Sequence, residues 1–148
     1  MLPTSKPNMN DLLILSTLTD EQYKEISSLW EITGVANSAR GDSLEAVKKT
    51  LEHGAKILLL YKENQPIGTV WLTHDFRRLY IHHMAVHPSF QNQGWGRMLL
   101  KEALKIASEM KLQAKLEVHS DNYPALHLYC SEGFKPLDGY QTLIKRKV

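Results

Sequence analysis

Residues 91–97 constrain the fold of this chain more than any other stretch. They read Gln-Asn-Gln-Gly-Trp-Gly-Arg and lie between a β-prone run at 80–86 and a long helical pattern. The two glycines let the chain turn tightly and let an anion approach without meeting a β-carbon. The start of the following helix offers unpaired N–H groups and the positive end of the helix dipole. A short Gly-x-Gly is often only a turn, but the order strand, loop, helix predicts an anion-binding loop.

Four helices are predicted from apolar residues at helical spacing and from capping residues. Thr19 or Asp20 caps the first helix, and Ser43 caps the second, which Gly54 ends. Asn122 caps the fourth helix. A loop at 33–42 separates the first two helices. The other three predicted helices cover 44–53, 94–110 and 123–131.

Seven strands are predicted from β-branched and apolar runs bounded by turn residues. They lie at 12–15, 57–61, 67–73, 79–86 and 116–119, then from 133 and at 140–145. The predicted order is therefore βααβββαβαββ, an α/β (α+β) arrangement. Residues 1–10 are predicted to be a flexible tail, in which Met9 is an alternative natural start, and residues 11–148 a single domain.

The composition is that of an ordinary globular protein, with 43% hydrophobic and 23% charged residues among 148. The net charge of +2 and the absence of a long basic run give no indication of a nucleic-acid partner. No apolar stretch suits a membrane span, and no signal-peptide pattern is present. The only cysteine, Cys130, cannot form an internal disulfide, which fits a reducing cytoplasm. We expect a cytoplasmic protein, with a homodimer as one open assembly.

Two blocks of sequence resemble the GNAT N-acetyltransferase family. The first covers residues 85–100 and contains the predicted anion loop. The second contains Leu116-Glu117-Val118, Asn122, Ala125, Leu128-Tyr129 and Gly133-Phe134. Both blocks follow the order and spacing of the family. The resemblance implies a mixed, twisted central sheet of six to seven strands flanked by about four helices.

The resemblance also implies a reaction and a co-substrate. Acetyl-CoA would donate its acetyl group to a primary amine that attacks directly in a ternary complex, with no metal involved. The backbone of the fourth strand would bind the pantetheine arm and polarise the thioester carbonyl, and the loop would hold the pyrophosphate. The residues implied to bind acetyl-CoA are Met84, Ala85, Val86, Gln91, Asn92, Gln93, Gly94, Trp95, Gly96, Arg97, Asn122 and Tyr129.

Three side chains are candidates for proton transfer. Tyr129 aligns with the tyrosine that many family members use to protonate the departing thiolate, and a phenol is protonated at neutral pH. Glu117 is one candidate base, because a carboxylate on a central strand is unusual without a function. His82 is the other, since an imidazole titrates near neutral pH. Strict alternation would place His82 on the same strand face as Met84 and His83 on the other. Each of the three could also be a structural polar residue.

The acceptor is not indicated by any motif. In this family it is shaped by segments that correspond to residues 30–42 and 136–142. Small amines, amino acids, polyamines, antibiotics and protein N-termini all stay open. The alternative function is a non-catalytic acyl-CoA-binding or sensing module on the same fold, which would need neither Tyr129 nor a base. His83, His87, His119 and His127 do not recur at metal-ligand spacing.

Overall fold

The computed structural model describes residues 10–36 and 43–148. The predictions for residues 1–9 and for most of the loop at 33–42 lie outside these residues. The chain divides into two units, one ending at Leu116 and the other running from Glu117 to Val148. The elements, in chain order, are β1 (Asn10–Leu15), α1 (Asp20–Thr33), α2 (Leu44–Glu52), β2 (Lys56–Lys62), β3 (Gln65–His74), β4 (Arg78–Val86), α3 (Trp95–Met110), β5 (Gln113–Leu116) and α4 (Tyr123–Ser131).

The first unit contains one mixed sheet. Its five strands lie in the order β1-β2-β3-β4-β5. The first four strands pair antiparallel with one another, and β5 pairs parallel with β4. A parallel pair needs a crossover connection, and α3 supplies it between β4 and β5. The predicted mixed sheet and the four helices are confirmed, but the described residues contain five strands instead of the predicted six to seven.

The first two helices begin where their capping residues predict. The side chain of Thr19 accepts a hydrogen bond from the N–H of Gln22, and the Gln22 side chain accepts one from the N–H of Thr19. This reciprocal pair is a capping box. The hydroxyl of Ser43 accepts a hydrogen bond from the N–H of Ala46 at the start of α2. These caps fix the two helices that cover one face of the sheet.

The two faces of the sheet are buried by different helices. On one face, apolar residues of α1 and α2, including Trp30 and Val47, pack against Leu59 and Trp71 of the sheet in one buried cluster. On the other face α3 comes very close to β3. A β-carbon added to Gly68 would lie 2.9 Å from the Leu99 side chain. Gly68 therefore lets α3 pack directly on the strands that carry the candidate site.

The second unit contains α4, whose start is the predicted one. The Asn122 side chain accepts a hydrogen bond from the N–H of Ala125 and caps the helix. The strand predicted at 116–119 is present but lies three residues earlier, because β5 covers Gln113–Leu116 and residues 117–119 form no strand. A turn follows these residues. In that turn the N–H of Asn122 donates to the carbonyl of His119.

The two strands predicted from 133 and at 140–145 are wrong, since no strand occurs among residues 117–148. The side chains of Tyr140, Leu143 and Ile144 are exposed. A β-prone run forms a strand only where a partner strand and a packing surface are available. No helix in the described ranges has both the length and the apolar character needed to cross a membrane.

Candidate functional site

A β-bulge interrupts the middle of β4. His82 pairs with Trp71 and Ala85 pairs with Thr69, so the two β4 residues between them face a single residue of β3. His83 lies in the bulge with a φ of 51°, in the left-handed region. A bulge of this kind bends the strand and shifts its alternation by one residue.

Because of the bulge, His82 and His83 are oriented differently from the prediction. Because of the extra residue, Ala85 instead of Met84 shares the strand face of His82. Trp71 contacts both neighbouring imidazoles, with ring centroids 4.9 Å from His82 and 5.3 Å from His83. The expectation that His83 points to the opposite face from His82 is therefore wrong.

The carboxyl half of β4 has an open edge. Strand β5 pairs with β4 from Arg78 to Ile81 and no further, although β4 continues to Val86. No other strand of the described ranges pairs with this edge. Unpaired backbone N–H and C=O groups at the edge of a sheet can bind another extended chain. Met84, Ala85 and Val86, the predicted backbone ligands, lie in this half of the strand.

The predicted anion loop connects that half-strand to α3. A short 3-10 turn, Pro88–Phe90, follows the strand. The Gln91 side-chain amide then donates a 3.0 Å hydrogen bond to the carbonyl of Val86 and fixes the loop to the strand end. The chain next adopts left-handed conformations at Asn92 and Gly94, with φ values of 61° and 92°. Gly94 is the N-cap of α3 and makes no side-chain cap.

The loop presents unsatisfied donors to a ligand. Among the described residues, none accepts a hydrogen bond from the backbone N–H groups of Asn92, Gln93, Gly94, Trp95 and Gly96. These groups lie at the N-terminus of a helix of 16 residues, where the dipole favours negative charge. A β-carbon added to Gly94 would meet no atom within 4 Å. The space beside Gly94 is therefore open, and the loop donors fit a phosphate group.

A cation that the sequence did not indicate lies beside the loop. The ammonium of Lys62, the last residue of β2, lies 5.6 Å from the ring centroid of Phe90 and 5.5 Å from that of Trp95. Phe90 immediately precedes the loop and Trp95 begins α3. Lys62 is about thirty residues away from both in the sequence and reaches them only through the pairing of β2 with β3 and of β3 with β4.

His82 is held by two neighbours in the sheet. Its Nε2 atom lies 2.8 Å from the Thr73 hydroxyl, and its ring stacks with that of Tyr80 at 6.2 Å. Thr73 is a second residue that the sequence did not single out, because only the register between β3 and β4 brings it to His82. This hydrogen bond and the ring contacts fix the orientation of the imidazole.

The second unit carries the other predicted side chains. Glu117 follows the last residue of β5 and is exposed, so the prediction of a carboxylate buried on a central strand is wrong. Tyr129 is half-buried on α4 and packs edge-on against Phe134, with ring centroids 5.9 Å apart. Burial raises the pKa of the Tyr129 phenol above its usual value. The phenol therefore stays protonated throughout the neutral range, as a proton donor must.

Some of the predicted site residues lie together in the first unit: His82, the three backbone positions at 84–86 and the loop at 91–97. Glu117, Asn122 and Tyr129 lie in the second unit. Cys130 is exposed. The described ranges contain no group of three or more His, Cys, Asp or Glu side chains arranged to hold a metal ion.

A family comparison agrees with the strand, the loop and the helix. The chain matches the acetyltransferase (GNAT) family model over residues 18–134. It belongs to the GNAT acetyltransferase family. The match spans both units of the chain and includes β4, the anion loop and α4. The GNAT fold expected from the sequence is confirmed.

Solved structures of other GNAT proteins share the fold. A GNAT family protein from Streptococcus pneumoniae is 24% identical, with a TM-score of 0.73 over 93% of this chain and 97% of that one. The ribosomal-protein-S18-alanine N-acetyltransferase from Escherichia coli is 20% identical, with a TM-score of 0.72 over 86% and 78%. A GNAT family acetyltransferase from Elizabethkingia anophelis with acetyl-CoA bound is 24% identical, with a TM-score of 0.65 over 85% and 76%. No curated protein matches the chain.

Proposed function

We propose that this protein transfers an acetyl group from acetyl-CoA to a primary amine, which attacks the thioester directly in a ternary complex. One observation carries the proposal: the row of free N–H groups from Asn92 to Gly96 adjoins the open edge of β4. A ligand with a pyrophosphate and an extended amide-containing arm matches both features. Membership of the GNAT family supplies the class of reaction.

The backbone of the first unit binds and polarises the co-substrate in this proposal. The pyrophosphate accepts hydrogen bonds from the loop N–H groups. The amides of the pantetheine arm pair with the open edge of β4, as an added strand would. A backbone N–H of Met84, Ala85 or Val86 donates to the thioester oxygen and stabilises the negative charge that develops there.

Side chains handle the protons. The amine must lose a proton before or during attack, and the departing thiolate must gain one. We assign the second step to Tyr129, whose pKa is raised by burial. For the first step two bases stay open. His82 has a fixed orientation through Thr73, whereas the exposed Glu117 has ready access to bulk solvent for proton exchange.

The acceptor stays within a broad class. Small amines, amino acids, polyamines, antibiotics that carry an amino group and protein N-termini all present the required amine. A relative of the same fold is named for acetylating an alanine of a ribosomal protein, so peptides that begin with alanine belong among the amines to be tested. As part of this proposal we place the protein in the cytoplasm, where the exposed thiol of Cys130 would stay reduced.

The test measures release of the CoA thiol from acetyl-CoA with and without a panel of amines, together with the mass of each amine. We expect release that depends on an amine and an acetyl-sized mass increase on that amine. If acetyl-CoA binds but no amine from any of the five classes accelerates release, the protein is an acyl-CoA-binding module instead. If acetyl-CoA does not bind, the proposed function is wrong.

A further inference from the structure

The cation of Lys62 contacts both ends of the anion loop. Its ammonium lies at almost the same distance from the rings of Phe90 and Trp95. The four residues between these rings, 91–94, form the turn that connects Phe90 to α3. An ammonium held against two aromatic rings attracts both through their quadrupoles. The lysine therefore joins the entry and the exit of the loop.

The position of Lys62 is itself well fixed. It pairs with Asn10 of β1 and with Gln65 of β3 at the end of the β2–β3 hairpin. In the described part of the chain, no carboxylate lies within 4.0 Å of its ammonium. A paired strand thus carries a positive charge to the loop, and no ion pair with another described residue offsets that charge.

We propose that Lys62 is a positioning residue for the phosphate groups of the co-substrate. It keeps the two ends of the loop at the separation at which the N–H groups from Asn92 to Gly96 can bind an anion together. Its charge also makes the site more favourable for an anion, an effect that weakens as salt is added. This proposal rests on the proposed function, because it assigns a role in binding the same co-substrate.

The expected loss of acetyl-CoA affinity follows from the two ring contacts of Lys62. A cation–π contact at a partly exposed site is worth about a two- to fivefold change in an equilibrium constant. Replacing Lys62 by methionine keeps the length of the side chain and removes the charge. We expect Lys62→Met to weaken acetyl-CoA binding by about five- to tenfold, measured by calorimetry. Lys62→Arg keeps a cation that binds aromatic faces and should stay within about twofold of the parent protein.

Two controls distinguish a role of Lys62 in positioning the phosphates from a general effect of removing a positive charge. Lys48→Met removes a positive charge from an exposed position on α2 and should leave acetyl-CoA binding unchanged. Acetyl-pantetheine carries the thioester without phosphate groups. With acetyl-CoA, Lys62→Met should raise KM and leave kcat at saturation unaltered, whereas with acetyl-pantetheine neither constant should change.

The outcomes decide the proposal. Unchanged acetyl-CoA affinity in Lys62→Met with a parent-like circular dichroism spectrum would overturn it. An equal loss with acetyl-CoA and acetyl-pantetheine would overturn it as well, because the effect would then not involve the phosphates. In both cases the parent protein still binds acetyl-CoA and the proposed function stands. A parent protein that binds no acetyl-CoA would remove both proposals together.

A second variant covers the case in which Lys62→Met does not fold. Phe90→Leu removes one ring and leaves the lysine in place. We expect it to weaken acetyl-CoA binding by about two- to fivefold. If Lys62→Met does fold, the double variant should lose less affinity than the two single losses combined, since each change breaks the same contact. A Phe90→Leu variant with parent affinity, or two fully additive losses, would count against the proposal.

Discussion

The two units of the chain differ in the kind of candidate functional group that they contain. In the first unit, the candidate site consists mostly of backbone groups, the open edge of β4 and the loop N–H groups from Asn92 to Gly96, with the imidazole of His82 as a candidate base. In the second unit, the candidates are the individual side chains of Glu117, Asn122 and Tyr129. A backbone site depends on chain geometry and tolerates many side chains. A side-chain site depends on one functional group and on the environment that sets its pKa.

The largest expected effect comes from a substitution that disrupts the backbone site. Gly94 has a φ of 92°, which a valine adopts only with strain, and the added methyl groups would occupy the open space beside it. We expect Gly94→Val to weaken acetyl-CoA binding by roughly 10²–10⁴-fold, measured by calorimetry, because strain and steric exclusion act together.

The matched control for this prediction is Gly34→Val. Gly34 also has a positive φ, of 71°, and a β-carbon there would also meet no atom within 4 Å. It ends α1 instead of preceding α3. We expect a similar loss of stability with acetyl-CoA affinity retained. Equal affinities for folded Gly94→Val and the parent protein would rule out the loop as the pyrophosphate site.

The backbone site could be predicted from the sequence because its determinants are local. Glycine spacing, a preceding strand and a following helix are all visible along the chain. The features of the site that could not be predicted from the sequence depend on strand register. Histidine adopts a positive φ more often than most residues but far less freely than glycine, so His83 by itself does not mark the bulge in the sequence. Lys62 and Thr73 reach their partners only through the pairing of strands.

In the second unit the helix could be predicted and the strands could not. Asn122 and the apolar residues after it specify α4 by short-range interactions. A strand needs a partner that is far away in the sequence, and the β-prone run at 140–145 has none among the described residues. For the same reason Glu117 was predicted to be buried on a strand, whereas it lies just after β5 and is exposed.

The next prediction addresses the side-chain site. If Tyr129 protonates the thiolate, Tyr129→Phe should lower kcat by roughly 10–10³-fold and leave acetyl-CoA affinity largely unchanged. The acid acts in its protonated form. Because burial raises its pKa, the parent rate should fall only as the pH rises through that raised value, and this alkaline limb should be absent from the variant.

Tyr123→Phe is the matched control, since Tyr123 lies on the same helix and is 70% exposed. It should keep the parent kcat. A Tyr129→Phe variant with the parent kcat, under conditions in which the chemical step limits the rate, would leave Tyr129 a packing partner of Phe134 and nothing more.

The two candidate bases lie in different units, so their test compares the units directly. A base works when it is deprotonated, and the rate therefore falls on the acidic side of the kcat/KM profile. If Glu117 is the base, Glu117→Gln should remove that acidic limb and lower the rate at neutral pH by about 10–10²-fold, since water can take over part of the proton transfer. His82→Gln should then keep the limb.

The reverse pattern would assign the base to His82, and Thr73→Val should then shift the limb by removing the hydrogen bond to Nε2. A limb that survives in both variants belongs to the amine itself. In that case the site accelerates the reaction chiefly by positioning the amine against the thioester.

The smallest expected effect compares two helix caps, one in each unit. Thr19 makes a complete capping box at 2.9 and 3.1 Å, whereas Asn122 accepts one bond of 3.3 Å. We expect Thr19→Ala to lower the free energy of unfolding by about 1 kcal/mol, and Asn122→Ala to lower it by less, measured by urea unfolding.

Thr19→Ala should leave the KM for acetyl-CoA unchanged, because the cap of α1 has no role in the proposed binding. If Asn122 also contacts the co-substrate, as the family resemblance implies, Asn122→Ala should raise that KM by about two- to fivefold despite its smaller effect on stability. A KM that follows stability in both variants would reduce Asn122 to a helix cap and confine co-substrate binding to the other residues proposed for it.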